Sequence, residues 1–217
     1  MSLDARRFIL ENTSVLCPPH VPEVRLHLAG EAHELWHKTE AQLAETGLPP
    51  PFWAFAWAGG QGLARYLLDH RETVRGKRVL DFAAGSGLVG IAAMLAGAAE
   101  ATCADIDPFA AEAAQLNAGL NAVSLKTAQG DLTGGAVDAP VLLAGDVFYD
   151  RRMADALTPW FALLAAGGTE ILIGDPGRAY LPKHGLEQLA VYQVPVTRAL
   201  EDAEMKRTTV WRFANRR

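Results

Sequence analysis

From Lys77 onward, short and almost wholly apolar runs alternate with longer stretches whose apolar residues recur at helical spacing. Lys77–Phe82 (KRVLDF), Glu100–Ile106 (EATCADI), Ser124–Gly130 (SLKTAQG), Ala139–Asp146 (APVLLAGD) and Thr169–Asp175 (TEILIGD) are predicted strands. Apolar runs of this kind suit strands buried on both faces. Gly87–Ala98, Pro108–Ala122 and Asp150–Gly168 are the intervening helices, with Pro108 in a first turn and Gly167–Gly168 as a stop. Pro182–Tyr192 also has a helical pattern, and Tyr192–Leu200 and Lys206–Ala214 follow as two late strands. Regular strand–helix alternation implies a parallel sheet covered by helices, and the late pair implies an antiparallel hairpin at one edge.

The segment before this core is different. Leu3–Asn12 suits a short helix, Glu23–Ala29 alternates like a strand, and Glu31–Gly47 is polar and helical in pattern. Leu48–Gly62 (LPPPFWAFAWAGGQG) is rich in Pro, Gly and aromatics, and Leu63–His70 is amphipathic. These differences divide the chain into an extension over residues 1–52, placed to act as a lid or docking surface, and a main domain over residues 53–217.

Composition narrows the class. The chain has 217 residues, 50% hydrophobic and 21% charged, enough for one domain with a self-sufficient core. Its net charge is −5, and the one basic cluster lies in the tail, so a nucleic-acid surface is not expected. No run approaches the roughly 20 apolar residues that span a bilayer, so no membrane association is expected either. The first residues lack a secretory pattern. Cys17 and Cys103 have no metal or disulfide spacing. A reduced, cytoplasmic bacterial protein is the expectation, or a mitochondrial-matrix one in a eukaryote. His33 and His37 stand four apart but lack an acidic or cysteine partner, so no metal site is expected.

The chemistry concentrates at strand ends. Gly85, Gly87 and Gly90 form G-x-G-x-x-G, the spacing that cradles a dinucleotide pyrophosphate. Asp81 lies four residues earlier and would repel such an anion, which argues against a nicotinamide-dependent oxidoreductase. S-adenosylmethionine carries an ammonium and a sulfonium, which Asp81 attracts, and Gly85, Ser86 and Gly87 let the backbone approach closely. Asp105 ends the second strand, where it can accept from ribose hydroxyls, and Ile106 is placed to lie on adenine. Asp131 follows the third strand and can take the adenine amino group, with Leu132 packing on the ring. A non-catalytic module keeping the fold is the further alternative, against which the intact acids speak.

These residues, with PFWAFAWAGGQGLARYLLD, VRGKRVLD, ADIDP, GDVFYD and LIGDPGR, resemble the seven-strand class I methyltransferases, and more narrowly the family-16 protein-lysine type, from about Glu23 to Phe213. The resemblance implies an α/β, Rossmann-like seven-strand sheet, mostly parallel with an antiparallel edge hairpin. It implies an S-adenosylmethionine-dependent, monomeric enzyme whose protein substrate is the electron transfer flavoprotein beta subunit. Another protein or a small-molecule amine is the alternative acceptor. Trp57 becomes an aromatic wall of the cofactor pocket and Gly145 part of its floor. Asp146 captures and orients the lysine, Tyr149 orients the amine, and Phe148, Asp175 and Arg178 line the acceptor rim. The N/D-P-P-Y signature of adenine and glutamine methylation is absent after the fourth strand. A carboxylate-lined mouth would favour lysines in a basic or mobile segment. Ala83 stands where the general D-x-G-x-G-x-G pattern has its first glycine, and fits there if its backbone is ordinary.

Overall fold

The computed structural model describes residues 4–30, 50–196 and 203–214. The pattern of the core is realised nearly strand for strand. β3 (Arg78–Phe82), β4 (Glu100–Asp105), β5 (Lys126–Gln129), β6 (Val141–Gly145) and β7 (Glu170–Asp175) are joined in parallel. β8 (Leu186–Pro195) and β9 (Met205–Phe213) complete a seven-stranded sheet in the order β5-β4-β3-β6-β7-β9-β8. β9 runs antiparallel to both neighbours, so the hairpin folds back and inserts its second strand between β7 and β8.

One expectation fails here. Pro182–Tyr192 is not a helix, because Leu186–Pro195 pairs along its length with β9. The helical spacing of Leu186, Leu189 and Ala190 is outweighed by the ladder available at the sheet edge, and a register shift between Gln188 and Ala190 absorbs the irregular pattern. The predicted helix over 31–47 lies outside the described residues.

Helices α2 (Ala58–Asp69) and α3 (Leu88–Leu95) lie in one core with Val79, Leu143 and Leu172, while α5 (Arg151–Ala166) packs Leu157, Trp160 and Phe161 on the opposite face against Leu142 and Ile171. α4 (Pro108–Leu120) starts with Asp107 accepting from the Phe109 N–H and Pro108 in its first turn. The N-terminal α1 (Ala5–Asn12) and the β1 (Ser14–Leu16)–β2 (Leu26–Leu28) hairpin dock on α4. Ile9 is buried with Trp53 and Phe109, and the Arg25 and His27 N–H groups donate to Asn121 and Asn117 at 2.9 and 2.7 Å.

At one junction of this fold the backbones meet directly. A Cβ on Gly174 of β7 would collide with the Gly59 carbonyl of α2, and one on Gly145 of β6 would sit 2.9 Å from the Gly60 Cα. Glycine on both sides lets the first turn of α2 rest directly on the ends of β6 and β7. Gly174→Ala is therefore expected to cost about 1–3 kcal/mol in denaturant unfolding. It should also move the α2 terminus away from the strand ends.

Candidate active site

The C-terminal ends of the parallel strands open into a cavity of about 760 Å³. Open α/β sheets bind ligands at this end. Its wall starts at Pro50 and the 3-10 turn Phe52–Ala54, and continues through Trp57, the ends of β3, β4 and β6, and the first turn of α5.

The glycine loop forms one side. Asp81, 1% exposed, accepts from the Gly90 N–H at 2.8 Å, with the Cys103 thiol 3.7 Å from the same oxygen. Gly90 is required at that position, since a Cβ would meet the Cys103 sulfur at 2.6 Å. Burial pushes the Asp81 carboxyl up to about 7, although the Gly90 N–H opposes it. Asp105 holds the loop closed by accepting from the Gly85 N–H at 2.9 Å and the Asp107 N–H at 3.0 Å. Ser86 is buried, and its carbonyl accepts from Asn117 at 2.8 Å, while Gly87 starts α3. Ala83 departs from expectation: its φ of 54° lies in the left-handed region, where alanine costs about 1–2 kcal/mol. The loop therefore keeps glycine-type geometry without the glycine.

Ile106 is 66% exposed and lines the cavity beside Asp131, whose carboxylate accepts from the Thr133 N–H at 2.9 Å. Leu132 is not beside them. It turns into the core around Phe82 and Trp160, because the chain after Asp131 closes over the α5 side of the sheet. Several cavity residues went unnoticed in the sequence, Phe52, Asp107 and Arg152 among them. Phe52 packs edge-on to Trp57 at 5.8 Å, and Asp107 caps α4, its carboxyl pushed up to about 6 chiefly by burial. The Asp-Pro pair was the available signal for Asp107.

The other side is built on GDVFYD. Asp146 has φ 59°, and its own N–H donates to the Gly174 carbonyl at 2.9 Å. Its carboxylate accepts from the Gly60 N–H at 2.9 Å and from Arg178 through Nη2 at 2.6 Å and Nε at 3.1 Å. The Arg178 guanidinium lies over the Trp57 ring, 5.7 Å from its centre, and the Trp57 Nε1 donates to the Phe52 carbonyl at 3.0 Å. Tyr149, 49% exposed, lines the cavity against Phe52 at 5.6 Å. Partial burial and then the charge of Asp150 raise its phenol above the ordinary value, so it remains protonated at neutral pH.

Two rim assignments are corrected. Phe148 is fully buried and packs edge-on to Phe161 at 6.3 Å, because the residue after Val147 faces the α5 core. Asp175 is buried outside the cavity wall, and its Oδ1 accepts from the Gly177 and Arg178 N–H groups at 2.6 and 2.7 Å. It shapes the turn that delivers Arg178. Arg178 itself reaches the cavity, but as the partner of Asp146. Among the described residues no group of three or more His, Cys, Asp or Glu could hold a metal ion, and no helix is long and apolar enough to cross a membrane. His33 and His37 lie outside those residues.

The strand order and the acid-walled cavity define a class I methyltransferase domain. Solved structures share that fold: a putative RNA methyltransferase from Pyrococcus horikoshii has a TM-score of 0.53 at 19% identity, over 82% of this chain and 96% of that one. Magnesium protoporphyrin IX methyltransferase from Synechocystis PCC 6803, solved with S-adenosylmethionine bound, gives 0.53 at 18% identity over 72% and 80%. The sequence profile of the ribosomal protein L11 methyltransferases (PrmA) matches residues 64–145. Over nearly the full length, the chain is 39% identical to the electron transfer flavoprotein beta subunit lysine methyltransferase of Xenopus laevis, covering 96% of this chain and 86% of that protein. The Homo sapiens protein of the same name is 34% identical, over 97% and 82%. The chain belongs to the electron transfer flavoprotein beta subunit lysine methyltransferase family.

Asp105→Ala is expected to weaken S-adenosylmethionine binding by about 1–3 kcal/mol in calorimetry, because it unties Gly85 and removes a polar partner at the β4 end. Asp81 predicts a pH dependence. A cationic ligand favours its ionised form, and the free carboxyl ionises near 7. Affinity should rise by up to about tenfold per pH unit below 7 and level off above it, a slope that Asp81→Asn removes.

Proposed function

We propose that this enzyme transfers the methyl group of S-adenosylmethionine to lysine amines of the electron transfer flavoprotein beta subunit. The observation that carries the reading is the cavity joining the acid-lined strand ends to the Asp146–Arg178–Trp57 wall, in a chain of that family.

The residues fit the cofactor. Asp81 is a buried acid whose charge a cation would stabilise, Gly85 presents bare backbone, and Asp105, Ile106 and Asp131 stand in succession along the β4 and β5 ends. Asp81 would hold the cationic amino-acid end, Asp105 the ribose, and Ile106 and Asp131 the base. When bound, S-adenosylmethionine supplies a methyl group already activated by its sulfonium. The protein's remaining tasks are alignment, exclusion of water and delivery of a neutral amine.

An ammonium with a reference pKa near 10.4 costs roughly 4–5 kcal/mol to present neutral at pH 7. A free carboxylate beside it would raise that cost. Asp146 does not act as a free carboxylate, because Arg178 and the Gly60 N–H share its charge. It orients the wall, while Trp57, Phe52 and Tyr149 desolvate the amine and the Tyr149 hydroxyl accepts from or donates to it. The N-terminal segment serves as a docking surface, its described part anchored by α1 and the β1–β2 hairpin on α4.

The profile match to ribosomal protein methyltransferases ends at Gly145, just before this wall, so it speaks for the shared cofactor half and leaves the acceptor open. The test is labelled S-adenosylmethionine with purified flavoprotein, ribosomal protein L11, free lysine and RNA. Labelled lysine in the flavoprotein beta subunit is expected; labelling confined to any other acceptor refutes the reading. Asp146→Asn should lower flavoprotein methylation at least about tenfold and Tyr149→Phe less, since a charge-assisted bond is the stronger of the two.

A further inference from the structure

The segment from Phe52 to Trp57 walls the cavity and then turns into α2. Trp57 is the N-cap of that helix but makes no side-chain cap bond. The residue before a cap and the fourth residue of the helix often pack as an apolar pair, which fixes the angle at which the chain enters. Here those residues are Ala56 and Gln61, and a hydrogen bond takes the place of the packing. Gln61 is 2% exposed, and its Nε2 donates to the Ala56 carbonyl at 2.7 Å.

The other end of the same side chain is held from the N-terminal segment. Its Oε1 accepts from the His20 N–H at 3.2 Å. A peptide N–H only donates and a carbonyl only accepts, so the position needs one acceptor and one donor on a single side chain. Glutamine has both; methionine, leucine and an ionised glutamate do not. His20 is placed without help from Gln61. Val21 and Val24 beside it are buried, Glu23 accepts from Arg65 at 2.7 Å, and the His20 ring meets Tyr192 of β8 edge-on at 5.3 Å. Elsewhere in the wall, the Trp57 Nε1 bond to Phe52 fixes the ring within the segment, and the Ala29 N–H holds the Ala54 carbonyl at 2.9 Å. Neither of these bonds fixes the turn from Ala56 into the helix.

We infer that Gln61 is a positioning residue: it sets the entry of the chain into α2, and thereby the Trp57 ring that lines the cavity under Arg178. Its hold on Trp57 rests on this geometry alone, and its part in methyl transfer rests on the reading proposed above.

The test is a double-mutant comparison. Gln61→Met keeps the volume and removes both bonds. The folded variant should show a shifted tryptophan emission and, with the flavoprotein beta subunit as acceptor, a kcat lowered about tenfold with less change in KM. Both effects should vanish when the same substitution is made in a Trp57→Phe background, as for residues that act through one another. Gln61→Asn, one methylene shorter, should show the same pattern more weakly and serves if Gln61→Met does not fold. A merely structural glutamine would lower the unfolding midpoint and leave the emission and kcat of the folded enzyme unchanged, or shift them equally in both backgrounds; either result overturns the inference. If wild-type enzyme labels no flavoprotein, the lysine reading fails, and the emission comparison still decides for or against the hold of Gln61 on the Trp57 ring.

Discussion

The site depends on the bare backbone contact between the first turn of α2 and the ends of β6 and β7. Gly59, Gly60, Gly145 and Gly174 keep their own side chains out of that interface. Only then can the Gly60 N–H reach the Asp146 carboxylate and the Trp57 ring, one residue before the helix, reach Arg178. Asp146 pays for its place with a left-handed backbone, offset by its own N–H bond to Gly174. Three elements distant in sequence thus meet on one carboxylate. A buried pair of this kind is a weak source of stability but a strong source of geometry.

The cofactor side is held by a second acid with the opposite character. Asp81 is buried beside an N–H and a thiol, and among the described residues no cationic group depresses its carboxyl. The fold tolerates an acid with a raised ionisation point at the place where the proposed reading puts the cationic end of the cofactor. Asp105 and Asp107 carry their load differently, tying Gly85 and the start of α4 in place.

Much of this was legible in the sequence, for physical reasons. Parallel strands buried on both faces write themselves as apolar runs, and acids at their ends stand out against those runs. What was lost is direction. Side chains at 131 and 132, or at 148 and 149, point to opposite sides of a loop, and only the fold decides which meets the cavity. Leu132 and Phe148 went to the core for that reason. The β8 edge was misread because pairing with β9, a non-local partner, outweighed a local helical pattern. Ala83 was misjudged because a backbone angle leaves no mark on composition.

The two ends of the cavity answer two different electrostatic demands. In the proposed reading a sulfonium nucleoside brings positive charge towards Asp81, Asp105 and Asp131, while a lysine must shed its positive charge before it can react. Coulomb interactions across a partly enclosed cavity are screened less than in water, so the separation of signs matters over its whole length. Had Asp146 stood unpaired at the acceptor end, it would have bound lysine well and reacted with it poorly, holding the ammonium form. Pairing it with Arg178 keeps its hydrogen-bonding geometry while removing most of its field.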